Sequence, residues 1–221
     1  MVQTLWQNTL ESKVQVIFNM LKKILIFILL PIACFANDCI EYKQTPKINI
    51  NSPIHKKSVV QSDEQMDKYH GNVIATLVED YDIAVDIFSV TRGYCVALKS
   101  VDALIGYNDF SVKIDSSHRK GSCSYNAILN HEDKHINAYL SVLEDLSADI
   151  NSSVFNAADS VTPIFVSTRE DIDSAIEEIN YEMRHHPELI LMKQKISAAQ
   201  EIRNKRIDQN EDNHELKLCD Y

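Results

Sequence analysis

The period of the hydrophobic positions changes once along this chain. From Asn72 to Asp115 β-branched and aromatic residues dominate, and Tyr94-Cys95-Val96-Ala97-Leu98 and Phe110-Ser111-Val112-Lys113-Ile114 read as strands, the second with clean two-residue alternation. Gly106-Tyr107-Asn108-Asp109 has the composition of a turn between them. The apolar residues from Val73 to Val85 fit neither period well, and a further strand is expected near Ile83 to Val90. Beyond Gly121 the spacing becomes helical. Ile128, His135, Tyr139, Val142, Leu146 and Ile150 recur at three- and four-residue steps, predicting one helix from about Ser124 to Ile150 with Ser122 or Ser124 as its N-cap.

Two more helices follow. Ser167-Thr168-Arg169-Glu170 has the spacing of a capping box, and Ile172, Ile176, Ile179 and Met183 form one apolar stripe behind it. Pro187 ends this helix or opens the next, which carries Leu189, Met192, Ile196, Ala199 and Ile202 on a charged background before fraying towards Tyr221. Residues 37–69 mix Pro46 and Pro53 with lysines and asparagines and read as a loosely structured lead-in, with one edge strand at Ile48-Asn49-Ile50. The fold class is therefore α+β: a small antiparallel or mixed sheet, then a long helix and C-terminal helices in one unit over 70–221.

The first 36 residues are set apart. Lys22-Lys23 precede an apolar run from Ile24 that ends in Cys34-Phe35-Ala36, the layout of a secretory signal cleaved after Ala36, with Met20 as the true start. The run is shorter than the roughly 20 apolar residues of a membrane span, so no stable membrane insertion is expected after cleavage. Ile32-Ala33-Cys34 partly resembles a lipobox, and a lipid anchor at Cys34 is the lesser alternative to soluble export to the periplasm or the medium. Cleavage leaves Cys39, Cys95, Cys123 and Cys219, an even number suited to two disulfides in an oxidising compartment. Of the three connectivities we favour Cys95 with Cys123 and Cys39 with Cys219. Cleavage also takes three lysines and one glutamate from the formal charge of −10, leaving −12. With no basic stripe and no glycine-rich phosphate loop, nucleic acid is excluded as a partner.

Candidate chemistry concentrates in His131-Glu132-Asp133-Lys134-His135. Residues four apart on a helix lie one above the other, so both imidazoles can be directed at one metal ion. Zinc in a catalytic site takes three protein ligands and leaves a fourth position open, and Glu132 is placed to act as general base. Asp133 and Lys134, charged residues between the two histidines, are expected to face solvent. The motif resembles that of the zincin class of zinc metallopeptidases. Gly and His of the metzincin extension are missing, since Ala138 and Ser141 stand at those positions, and a gluzincin-like arrangement with the third ligand on a later helix stays open.

No residue soon after His135 on the same straight helix can complete the site; Asp145 lies about 15 Å farther along at about 1.5 Å per residue. Helical rotation puts Glu182 and His186 at the edge of the second stripe, and Glu182 is the expected third ligand with His186 as the alternative. His118, Tyr139 and Tyr181 are candidate donors to an oxyanion. His55 and His70 read as surface histidines. Phe110 to Ile114 is the strand edge on which an extended peptide could lie. The resemblance implies a metallopeptidase with Zn2+ as cofactor, a peptide or protein substrate, and a water attacking the amide with Glu132 as base; the signal segment implies its export. Two alternatives stand beside it: a non-catalytic, disulfide-stabilised binding protein of the cell envelope, and a zinc amidase acting on cell-wall peptides.

Overall fold

A computed structural model describes residues 39–63, 70–210 and 218–219. The expected signal segment and Cys34 lie outside the described residues. Among the described residues no helix is long and apolar enough to cross a membrane.

Among the described residues the architecture is a five-stranded mixed sheet with four α-helices. After a 3-10 turn over Ile40–Tyr42 come β1 (Lys47–Asn51), β2 (Lys56–Ser62), β3 (Gly71–Val90) and β4 (Gly93–Asp115). Then follow α1 (Cys123–Asp145), α2 (Ser147–Ser160), β5 (Ile164–Val166), α3 (Ile172–Arg184) and α4 (Pro187–Asn210). β4 is the spine. β3 pairs with it antiparallel along nearly its whole length. On its other side β5 pairs antiparallel with Tyr94 to Val96, β1 parallel with Ser100 to Leu104, and β2 parallel with Asp109 to Asp115.

Several expectations are corrected here. The lead-in supplies two strands, not one, and both are parallel partners of β4. Gly106 to Asp109 is not a turn: β4 runs through it, and the hairpin reverses between Val90 and Gly93. Its turn-like residues serve a β-bulge instead. Asn108 and Asp109 together face Thr76, between the pairs Leu77–Tyr107 and Ala75–Phe110, and an inserted residue of this kind bends and twists its strand. Gly106 also lets Pro53 approach, since a Cβ there would stand 2.7 Å from Pro53 Cδ. The single helix expected over 124–150 breaks at Leu146, where ψ rises to 7°, and α2 starts at Ser147 and continues through Asn151-Ser152-Ser153. Ser122 is the N-cap of α1, its Oγ accepting from Tyr125 N at 3.2 Å. The expected capping box does not form: Asp171 is the N-cap of α3 with no side-chain cap bond, and Thr168 Oγ1 donates to its carboxylate.

The disulfides are Cys39–Cys95 and Cys123–Cys219, not the favoured pairing. Length explains the difference. Twenty residues of β4 separate Cys95 from Asp115, tens of ångströms at about 3.3 Å per residue, so Cys95 and Cys123 stand at opposite ends of the sheet.

Two apolar clusters hold the helices on. The larger gathers Val96, Leu98, Val101 and Ala103 of β4 with Val142, Val154, Ile179, Met183 and Ile196 from all four helices. The smaller joins Tyr107, Phe110, Val112 and Ile114 of β4 to Tyr125, Ile128 and Ile136 of α1. Each fully buried aliphatic or aromatic side chain contributes about 1.5–3 kcal/mol, so the smaller cluster alone seats α1 firmly on the end of the sheet.

Candidate metal centre

α1 presents two different faces around residue 132. Ile128, Glu132 and Ile136, one turn apart, are buried on the sheet side. His131 and His135 look instead towards α4, each 12% exposed as a side chain. Their Nε2 atoms are 3.1 Å apart. His135 Nδ1 lies 3.0 Å from Asn204 Oδ1. With the amide oxygen accepting, Nδ1 carries the proton and Nε2 offers its lone pair towards His131.

The third group is Asp208. Its Oδ1 is 3.2 Å from His135 Nε2 and 3.5 Å from His131 Nε2. These three ligand atoms make up a group that could hold a metal ion. Zinc bonds of about 2.0–2.1 Å at tetrahedral angles put neighbouring ligand atoms about 3.3–3.4 Å apart. The three spacings bracket that edge.

Asp208 reaches the imidazoles because α4 lies against α1 with the opposite chain direction. Gln200 donates to Tyr107 Oη, and Arg203 spans Ser141 Oγ and the Asp145 carboxylate. Asn204 then meets His135, and Asp208 follows one turn later. The apolar stripe of α4 ends at Ile202, six residues short of Asp208, so its spacing does not point to this ligand. What the sequence does carry is Arg203, Asn204 and Asp208 at helical spacing; their half-burial, which sets them apart from most other polar residues of α4, exists only in the fold.

Glu132 is only 2% exposed. Burial, then the nearby Asp208 and Asp133 carboxylates, push its carboxyl up to about 8. It rests on the start of β3, where a Cβ added to Gly71 would stand 2.4 Å from Glu132 Oε1 and 2.6 Å from Ile128 Cγ2. Glycine is what leaves room for the acid. Asp133 faces solvent as expected, its side chain 42% exposed, and there it pairs with Lys57 Nζ of β2 at 2.5 Å.

The other candidates lie elsewhere. Glu182 is exposed on α3, whose buried stripe packs on the larger core, so its carboxylate is not among the grouped ligand atoms. His186 Nδ1 accepts from Glu188 N at 3.3 Å, at the start of α4. Tyr139 packs edge-on to Tyr107 and beside Phe110, at centroid distances of 5.2 and 6.2 Å. Tyr181 is 65% exposed and stacks on His185. His118 meets His70 in a T-shaped contact at 4.9 Å, and His70, its side chain 43% exposed, sits opposite Asp115 with φ at +59°. His55 lies edge-on to Phe110 at 6.0 Å. Phe110 to Ile114 is hydrogen-bonded to β2 on one side and β3 on the other, which removes it as a docking edge.

Comparison with protein-family models, with curated proteins and with solved structures finds no match for this chain.

Proposed function

We propose that the protein is an exported, zinc-dependent hydrolase of peptide bonds, with His131, His135 and Asp208 as ligands and Glu132 as proton carrier. The observation behind this reading is the triangle of two Nε2 atoms and one carboxylate oxygen with edges of 3.1, 3.2 and 3.5 Å. Two neutral imidazoles and one carboxylate suit zinc and leave its fourth position open, as catalytic sites require. The reading follows the zincin scheme in outline, with aspartate in place of the expected glutamate. Two disulfides agree with an oxidising compartment.

A bound zinc ion would supply Lewis-acid polarisation of the amide carbonyl and acidify the attacking water. The chain supplies the rest. Asn204 holds the His135 ring in the tautomer that leaves Nε2 free. Glu132 accepts the proton of the attacking water and passes it to the departing amine. Its burial makes it a reluctant carboxylate without a cation, which suits a group that must take up a proton and give it back.

The test joins metal analysis to hydrolysis. Purified protein should contain one zinc and cleave a fluorogenic peptide library in a chelator-sensitive way. Glu132→Gln should keep the zinc and lose cleavage, because the amide preserves size and removes the base. Zinc with no cleavage of any peptide would favour a metal-braced binding protein. A folded Glu132→Gln variant cleaving at the wild-type rate would sink the mechanism.

A further inference from the structure

The Cys123–Cys219 disulfide has no place in the chemistry above, yet it joins the two elements that make the metal centre. Cys123 is the first residue of α1, eight residues ahead of His131. Cys219 lies eleven residues beyond Asp208. α4 is pinned to α1 by Arg203 and Asn204, and to β4 by Gln200 through Tyr107. Asp208 sits one turn past Asn204, in the final turn of the helix, with its side chain 38% exposed. The terminal turn of a helix lacks half of its backbone hydrogen bonds and frays first. A ligand there is held poorly by its own helix.

The chain direction matches the need for a second anchor. Past Asp208, α4 heads towards the start of α1, and Cys123 lies about 12 Å from His131 along the α1 axis at about 1.5 Å per residue. The disulfide therefore closes the chain at the far side of Asp208, so the third ligand is flanked by Asn204 on one side and a covalent tie on the other. We propose that Cys123–Cys219 is a positioning element that holds Asp208 against His131 and His135, so that the oxidised protein binds its metal more tightly than the dithiol form. The other disulfide, Cys39–Cys95, lies at the opposite end of β4 and has no such role. This inference rests on the metal reading.

The experiment is a cycle of zinc affinities on the full mature chain, measured by competition with a chromophoric chelator. It compares wild type, Cys123→Ser with Cys219→Ser, Asp208→Ala, and the triple variant. The double serine variant should bind zinc about tenfold more weakly, the lower end of what loss of an outer support costs a metal site. In the Asp208→Ala background the serine changes should cost nothing, because the tie has no ligand left to hold. A merely structural disulfide would weaken both backgrounds equally, and that additive result would overturn the proposal. So would unchanged affinity in the double serine variant.

Should the serine variant not fold, linkage supplies a second measurement on wild type. If the disulfide tightens zinc tenfold, zinc must stabilise the disulfide tenfold against reduction by dithiothreitol. That lowers the Cys123–Cys219 midpoint by about 30 mV, while Cys39–Cys95 stays put. Equal midpoints with and without zinc refute the proposal. Wild type that binds no zinc at all fails the metal reading itself, a separate outcome visible before any variant is made.

Discussion

Replacing Glu132 with glutamine should stabilise the metal-free protein. The carboxyl is pushed from an ordinary value near 4.5 up to about 8, with burial as the first cause. Between those values the folded state binds more protons than the unfolded state, so stability falls as pH rises through the window and the loss is complete above pH 8. At about 1.36 kcal/mol per unit, the full penalty is about 5 kcal/mol, and about 3 kcal/mol is already present at pH 7. Glutamine has the shape of the protonated acid and cannot ionise. In a chelating buffer at pH 8 the variant should therefore unfold some 10 °C above wild type, at about 2–4 °C per kcal/mol for a chain of this size. At pH 5 the two should nearly coincide. Calorimetric or circular-dichroism melts from pH 5 to 9 provide the assay. Saturating zinc should shrink the gap, since a neighbouring cation favours the carboxylate. Parallel melting profiles for wild type and variant across the whole range would refute the reasoning.

Two further perturbations separate the parts of the site. Gly71→Ala puts a methyl group 2.4 Å from Glu132 Oε1, so the acid must move. It should cost about 1–3 kcal/mol and most of the hydrolytic rate, with zinc affinity within a few-fold of wild type by the same competition assay. Asn204→Ala removes the oxygen facing His135 Nδ1 and should weaken zinc about 10–100-fold, with Asn204→Asp restoring much of it.

What could be read from the sequence was local. His131, Glu132 and His135 were visible because a helix of period 3.6 puts residues four apart on one face, and that spacing is written in five consecutive residues. Asp208 was not, because it lies 73 residues beyond His135 and belongs to the site only through the packing of α4 on α1. The disulfide pairing failed for a related reason: cysteine order says nothing about a 23-residue strand that carries Cys95 away from Cys123. Gly106, Asn108 and Asp109 read as a turn because the residues that allow reversal also allow a bulge. β1 was legible because Ile48 and Ile50 alternate with polar residues, whereas β2 was not, because its side chains are almost all exposed and show no alternation. Leu146 kept the helical period across a real break between α1 and α2.

The spine strand also sets an order of assembly. Among the described residues β1 and β2 come first in the chain and have no partner except β4. Their hydrogen-bonding groups must wait until residues 100–115 exist, more than fifty residues later for each pair in register. The hairpin of β3 and β4 joins neighbours in the chain and can form alone, whereas the parallel strands have long loops to close first. Until then the emerging chain exposes unpaired strand segments and the Cys39 thiol, the partly folded state in which edge pairing between molecules competes with correct folding. The Cys39–Cys95 bond can form as soon as the hairpin does. It would fasten the N-terminal segment beside the place where β1 must dock, shortening the search for a strand that arrives before its template.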